Sequence, residues 1–348
     1  MLAHPARILV AAGLAALSAP ALASAAMVYQ REAPAARMFL ARNDGTGSRV
    51  LPGKGSYPQI SPDGTKVAYQ TYPAAYEGRV RILTLATGKV VASRQVCRSI
   101  PQWSPDSTRL LCETETATSQ GYVTGNGLAL VDAATGRSRI LVTAPRNEVE
   151  TFTWSPDGRR IAYSNGRFGG NSTDVFVADP DHMSARRLLI RRASGPVWGP
   201  TKIAVYRLTS RRVRFAGSPM QAIHSQIWTV NPNGGGARQL THQRIASPLV
   251  TGPTPSVWTH GGRLIVGTIG GTDYSQIIVV NARTGAVRTL GSQDAAPVAV
   301  SSDGRTILYT EGFIGATYRT ATMSITGRRG RVILRGATAV SVTADWRP

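Results

Sequence analysis

One phrase recurs along this chain: Ser61-Pro62-Asp63-Gly64, Ser104-Pro105-Asp106-Ser107, Ser155-Pro156-Asp157-Gly158 and Ser301-Ser302-Asp303-Gly304. Each copy follows a short segment ending in an apolar residue, such as Ile60, Trp103 or Trp154. Each precedes an alternating run, such as Lys66-Val67-Ala68-Tyr69 or Arg160-Ile161-Ala162-Tyr163. Pro presets one torsion, Asp accepts hydrogen bonds from its own turn, and Gly adopts a left-handed conformation. The phrase is therefore a hairpin turn between two strands. A unit repeating at roughly forty to fifty residues cannot bury its own faces and must stack on its neighbours.

Each unit continues with a third run, a Thr-Gly turn and a fourth run: Val80 to Leu85 with Thr87-Gly88, Leu128 to Val131 with Thr135-Gly136, and Ile277 to Val280 with Thr284-Gly285. Four strands joined by tight turns make one antiparallel propeller blade. Six blades are counted, with first strands at Ile60, Trp103, Trp154, Trp198, Trp258 and Val300. The fourth and fifth keep the Trp but read Trp198-Gly199-Pro200 and Trp258-Thr259-His260-Gly261-Gly262. The chain ends supply the rest of a seventh. Met27-Val28-Tyr29-Gln30, Met38-Phe39-Leu40-Ala41 and Arg49-Val50-Leu51 read as strands two to four, and Val340 to Trp346 as strand one. The expectation is an all-β, seven-bladed propeller of four-stranded antiparallel blades. One C-terminal and three N-terminal strands close the ring, which hides the edges an open array would expose.

The Trp-Ser-Pro-Asp-Gly phrase, the Ile-Ala-Tyr run and the turns Asp132-Ala133-Ala134-Thr135-Gly136 and Asn43-Asp44-Gly45-Thr46-Gly47 resemble the TolB-type propeller repeat, the WD-like class named for its Pro-Asp pair. The resemblance spans nearly the whole chain after the N-terminal leader and implies the fold. Its functional message is broad, because the repeat occurs in periplasmic scaffolds, in the propeller domains of prolyl-oligopeptidase-like peptidases and in some sugar lyases. Unlike TolB, this chain leaves no room for a separate α/β domain ahead of the first blade.

Residues 1–25 carry Arg7, an apolar stretch from Ile8 to Leu17 and the small residues Ala21-Leu22-Ala23-Ser24-Ala25, the three regions of a secretory signal. Cleavage is expected after Ala23 or Ala25, leaving one domain over 26–348. No later run approaches the ~20 apolar residues of a membrane span. The expected location is therefore secreted, or periplasmic and envelope-associated, as a monomer. An oxidising compartment permits a disulfide between Cys97 and Cys112. A hairpin in the second blade brings them near each other, although Pro101 rather than Cys97 falls opposite Cys112 in the simplest register. The residues leave open a bridge or two packed thiols.

Forty Lys and Arg stand against nineteen Asp and Glu, a net charge of +21, and the leader removes only Arg7. Such a balance favours polyanions, although a bias toward Arg over Lys in coding has the same appearance. The short turns place Lys89, Arg137, Arg186, Arg187, Arg238, Arg288, Arg328 and Arg329 on one end of the ring as a solvated basic rim. The opposite end carries the longer loops, where a rigid scaffold usually places recognition. Its candidate ligand-binding residues are Tyr76, Tyr122, Phe168, Tyr274, Phe313 and Tyr318, with Arg207, Arg211, Arg212, Arg214 and Phe215 in the longest loop, Tyr206 to His224. Arg beside aromatic rings can pair and stack with acidic or ring-bearing ligands.

The recurring Trp and Asp read as structural. The chain contains no Gly-x-Ser-x-Gly elbow and no Walker-type phosphate loop, and no catalytic residue, metal ligand or cofactor is assigned. The reading is an exported, non-enzymatic propeller that binds a protein or an acidic envelope polymer through its loop-rich face. The alternative is a lyase or hydrolase acting on an acidic saccharide, with His224, His242 and nearby Arg as its candidates.

Overall fold

The computed structural model describes residues 26–31, 37–71, 78–97, 100–117, 123–143, 146–169, 172–244, 250–271, 275–312, 318–337, 339–344 and 346. The expected leader, residues 1–25, lies outside them. Regular structure among them is β, apart from one 3-10 turn at Met183–Ala185.

Six antiparallel meanders succeed one another along the chain. The first is Ser56–Ile60, Lys66–Thr71, Arg79–Thr84 and Val90–Val96, and the second Gln102–Trp103, Arg109–Ala117, Val123–Asp132 and Ser138–Val142. The third is Phe152–Trp154, Ile161–Arg167, Thr173–Ala178 and Arg187–Ile190, and the fourth Ser194–Trp198, Ile203–Phe215, Ser218–Val230 and Arg238–Gln239. The fifth is Val250–Trp258, Leu264–Gly271, Ser275–Asn281 and Val287–Gln293, and the sixth Ala295–Val300, Thr306–Glu311, Arg319–Ser324 and Arg329–Arg335. The second and third are not separate sheets. Asn147–Glu148, in the segment linking them, pairs parallel with Asn126 on one side and antiparallel with Gly166 and Arg167 on the other, which fuses them into nine strands.

The two ends of the chain form one further sheet, ordered Ala339–Val342, Ala26–Arg31, Arg37–Arg42 and Arg49–Val50. Met27 pairs with Val342, Val28 with Ser341 and Tyr29 with Val340. Successive side chains on a strand point to opposite faces, and here both faces are covered. Met27 and Tyr29 pack with Leu334 of the sixth meander and with Ala337 just beyond its last strand. Ala26, Val28, Met38 and Leu40 pack with Ile60, Val67, Tyr69 and Leu83 of the first. Hydrogen bonds cross both seams: Ile60 N–H to Ser341 Oγ, 3.3 Å, and Ser302 N–H to the Trp346 carbonyl, 3.1 Å.

The same alternation joins the other meanders. Ile203, Val205 and Val230 face the third through Ala162 and Val175, while Ala204 and Ile227 face the fifth through Ile265 and Ile278. The recurring indoles also bridge neighbours. Trp103 Nε1 donates to the Gln59 carbonyl (3.0 Å), Trp154 to Gln102 (3.2 Å) and Trp258 to Val197 (2.9 Å), in each case just before the equivalent position of the preceding meander. Part of the expected solvated rim is likewise engaged. Arg187 donates to the Pro232 carbonyl (2.8 Å), Arg238 to Arg283 (2.7 Å) and Arg288 to Ile325 (2.6 Å), each reaching the next meander's turn. A guanidinium is long enough to cross the seam and needs an acceptor that the turn carbonyls supply.

In the repeated phrase Ser61 Oγ donates to Asp63 (2.6 Å), Asp63 accepts the Thr65 N–H (3.0 Å), and Ser61 Oγ accepts the Lys66 N–H (2.9 Å). The same set recurs around Asp106, Asp157 and Asp303. The fourth position needs a left-handed backbone, φ 72° at Gly64 and 68° at Gly158. Ser107 occupies it at φ 60°, and its hydroxyl accepts the Asp63 N–H of the preceding turn (3.1 Å).

Cys97 and Cys112 are joined in a disulfide, with Cα atoms 5.5 Å apart. The geometry differs from a hairpin within the second meander. Cys97 lies just after the last strand of the first meander, and its N–H donates to the Gly78 carbonyl (2.9 Å). The bond therefore links two neighbouring meanders inside a cluster with Val80, Ile82 and Leu110.

The disulfide and the turn carboxylates each set a measurable stability term. Replacing both Cys97 and Cys112 by Ser, which opens a 15-residue separation, should lower urea-unfolding stability by about 3 kcal/mol. The turn carboxylates set an acid limit. At Asp157 the Ser155 hydroxyl and the Arg159 N–H hold the pKa below its ordinary value. At Asp63 and Asp106 burial pushes it up, but hydrogen bonds from Ser and Thr outweigh that. A folded pKa below the unfolded one gives stability that is present above about pH 4 and lost as pH falls through the folded value. The variant Asp63→Asn/Asp106→Asn/Asp157→Asn should be less stable than the parent at neutral pH and show a flatter unfolding midpoint below about pH 4.

Candidate functional site

The segment expected as the longest loop, Tyr206 to His224, is two strands. Ile203–Phe215 and Ser218–Val230 pair without a register break from Ile203↔Val230 to Phe215↔Ser218. The turn is Ala216-Gly217, with φ of 48° and 82°. Two successive left-handed residues match the right-handed twist of the strands they join. The neighbouring strands stop early. Ser194–Trp198 pairs no further than Tyr206, and Arg238–Gln239 pairs only with Trp228 and Thr229. The outer part of the hairpin is thus an arm carried on the fourth meander. Gly252 lets the fifth meander pass against the arm's base. A Cβ there would lie 2.5 Å from the Ser225 carbonyl oxygen, and Ser225 Oγ donates to the Thr251 carbonyl at 2.8 Å.

Directly paired residues share a face, so the register sorts the arm's side chains. Arg211, Val213 and Phe215 lie on one face with Ala222, Met220 and Ser218, and Arg212 and Arg214 lie on the other with Gln221 and Pro219. Arg211, Arg212 and Arg214 are exposed. Arg207 belongs to the base instead. It is half-buried, and its guanidinium sits 4.6 Å from the centre of the Trp228 ring, a cation–π contact that fixes the root of the arm. The five residues expected as one cluster therefore divide into a structural Arg207 and four at the free end.

Tyr76, Tyr122, Tyr274 and Phe313 lie outside the described residues. Phe168 is half-buried beyond Ile161–Arg167, and its N–H donates to the Arg146 carbonyl (3.0 Å). Tyr318 is half-buried ahead of Arg319–Ser324, and its carbonyl accepts the Gly336 N–H (2.6 Å). Neither contact joins them to the arm. His224 is buried at the arm's base, with Nδ1 unpartnered among the described residues. Burial first, and the charge of Arg211 second, lower its pKa. His242 is exposed. Among the described residues, no three His, Cys, Asp or Glu are grouped to hold a metal.

Charge divides the molecule. Glu113, Glu115, Glu148, Glu150 and Asp174 belong to the second and third meanders and the segments between them, and Glu311 of the sixth pairs with Arg319 at 2.6 Å. Between Asp181 and Asp273 the chain has no Asp or Glu. The whole fourth meander and most of the fifth are therefore free of carboxylates, and the arm stands at the centre of that region. This absence is readable in the sequence, but only as a missing residue type over a long span. At the seam with the third meander, a cavity of about 410 Å³ is lined by Glu150, Thr173, Arg192, Ser194, Tyr206 and Leu208. Glu150 accepts the Ser194 hydroxyl there at 2.6 Å.

The sequence matches no protein-family model and no curated protein. Similar solved structures do exist. TolB from Acinetobacter baumannii aligns at 16% identity and TM-score 0.53, over 92% of this chain and 66% of that one. A prolyl endopeptidase aligns at 14% identity and TM-score 0.64, over 89% and 47%, and the tricorn protease at 12% and 0.60, over 89% and 33%. The fold is that of a TolB-like β-propeller. The chain spans just under two thirds of the TolB chain and less than half of either peptidase.

Because the outer arm is held mainly by its own ladder, it can be removed. Replacing Arg212 to Gln221 by Asn-Gly links the paired residues Arg211 and Ala222 through a two-residue hairpin turn. The thermal midpoint should move by no more than about 2–4 °C.

Proposed function

We propose that this protein is an exported, non-enzymatic recognition scaffold that binds an acidic partner of the cell envelope, a protein or a polymer, through the loop-rich face on which the arm stands. The observation that carries this reading is the carboxylate-free span from 182 to 272 with Arg211, Arg212 and Arg214 exposed at its centre. Positive side chains on a ribbon that itself carries no acid present a field that attracts anions. On this reading the six meanders and the terminal sheet are the seven blades of a closed ring, which gives the arm a rigid base. Contacts of Ala339–Val342 with both the first and the sixth meander support the closure. The N-terminal leader and the TolB-like fold support an envelope location. No helix among the described residues is long and apolar enough to cross a membrane.

The test is retention on an immobilised soluble polyanion as salt is raised. Retention should fall steeply with salt. The variant Arg211→Ala/Arg212→Ala/Arg214→Ala should elute earlier, with a log-affinity against log-salt slope shallower by roughly two. Equal elution of variant and parent would remove the arm from the site.

A further inference from the structure

The arm carries more than charge. Phe215 and Met220 are 37% and 45% exposed at its free end, and Leu208 and Ile223 are 55% and 54% exposed lower down. Val213 pairs with Met220 and Phe215 with Ser218, so Val213, Phe215 and Met220 share one face of the tip, while Arg212 and Arg214 occupy the reverse. Large apolar side chains grouped on a projecting tip are costly in water and ask for an apolar phase.

We propose that the tip of the arm dips into the surface of an anionic phospholipid bilayer, Phe215 and Met220 entering the acyl boundary while Arg211, Arg212 and Arg214 pair with lipid phosphates. This rests on the reading above that the arm binds an acidic partner of the cell envelope, and takes that partner to be the lipid surface rather than a protein or a polymer. An acidic saccharide would satisfy the arginines but leave Val213, Phe215 and Met220 in water. A protein would have to surround a projecting ribbon that carries arginine on both faces and apolar side chains on one, with acids and an apolar pocket placed to match. A bilayer has neither limit, since headgroups close around a narrow tip and the boundary below them receives apolar side chains. Guanidinium suits phosphate because its planar fork donates two parallel hydrogen bonds. The arm itself carries no carboxylate that an anionic surface would repel.

The experiment is sedimentation of the whole protein with vesicles of phosphatidylcholine alone and of phosphatidylcholine mixed with phosphatidylglycerol, alongside the polyanion column. Binding is expected to the mixed vesicles only. Phe215→Ser/Met220→Ser should weaken it roughly tenfold or more with column retention unchanged. Arg212→Gln/Arg214→Gln should weaken both, by on the order of tenfold on vesicles. The arm-shortened variant, Arg212 to Gln221 replaced by Asn-Gly, should bind no vesicles while keeping its thermal midpoint. Vesicle binding by Phe215→Ser/Met220→Ser equal to the parent would overturn the insertion. So would retention on the column with no binding to mixed vesicles, which leaves the broader reading standing. Failure of the parent on both supports would take down both.

Discussion

Everything in this fold depends on sheets that bury both faces at once. A lone four-stranded meander has two apolar sides and nothing to put against either. Here Ile203 and Val205 turn to the third meander while Ala204 turns to the fifth. Met27 and Tyr29 turn to the sixth while Ala26 and Val28 turn to the first. Because the alternation has a period of two, a slip of one residue in any strand would exchange the two neighbours. The seams are then fastened by hydrogen bonds from Trp103, Trp154 and Trp258 and from Arg187, Arg238 and Arg288. The disulfide Cys97–Cys112 ties the first meander to the second.

That arrangement has a consequence for the arm. The inner part of Ile203–Phe215 and Ser218–Val230 is locked between two meanders, with Ala222, His224 and Ile227 buried. Beyond the Arg211↔Ala222 pair the ribbon is held mainly by its own ladder. A rigid root and a free tip come from one continuous ladder: the root includes Arg207, whose guanidinium packs on Trp228, and its burial ends at Ala222, opposite Arg211. The chemistry carried outward is therefore presented at a fixed place on the molecule.

Several features are plain in the residues. The Ser-Pro-Asp turn is a local object: the hydrogen bonds that join its Ser, its Asp and the strand that follows run within five residues, so its recurrence exposes the strand order and the repeat. The arm reads as a loop for an equally physical reason. Thr209-Ser210-Arg211-Arg212-Val213-Arg214 shows no clear apolar-polar alternation, because its own side chains are exposed on both faces apart from the half-buried Val213. Its turn, Ala216-Gly217, lacks the Asn-Gly or Asp-Gly signature. The hydrophobic pattern reports burial, and where burial stops the strand becomes invisible to it.

The sequence by itself determined the β character, the four-strand unit and the turn chemistry, since these arise from torsional preference and local apolar periodicity; the pairing of the two chain ends was legible because each end supplies part of the repeated unit that the other lacks. Tertiary structure decided what no local pattern encodes. It placed Cys97 with the first meander, though it faces a cysteine of the second, and engaged part of the basic rim in seam contacts. It separated Arg207 from the arginines beyond it, and gathered Phe215 and Met220 on one side of a projecting tip. Each of these depends on which residues meet across strands and seams, and that is fixed only when every sheet has found both of its neighbours.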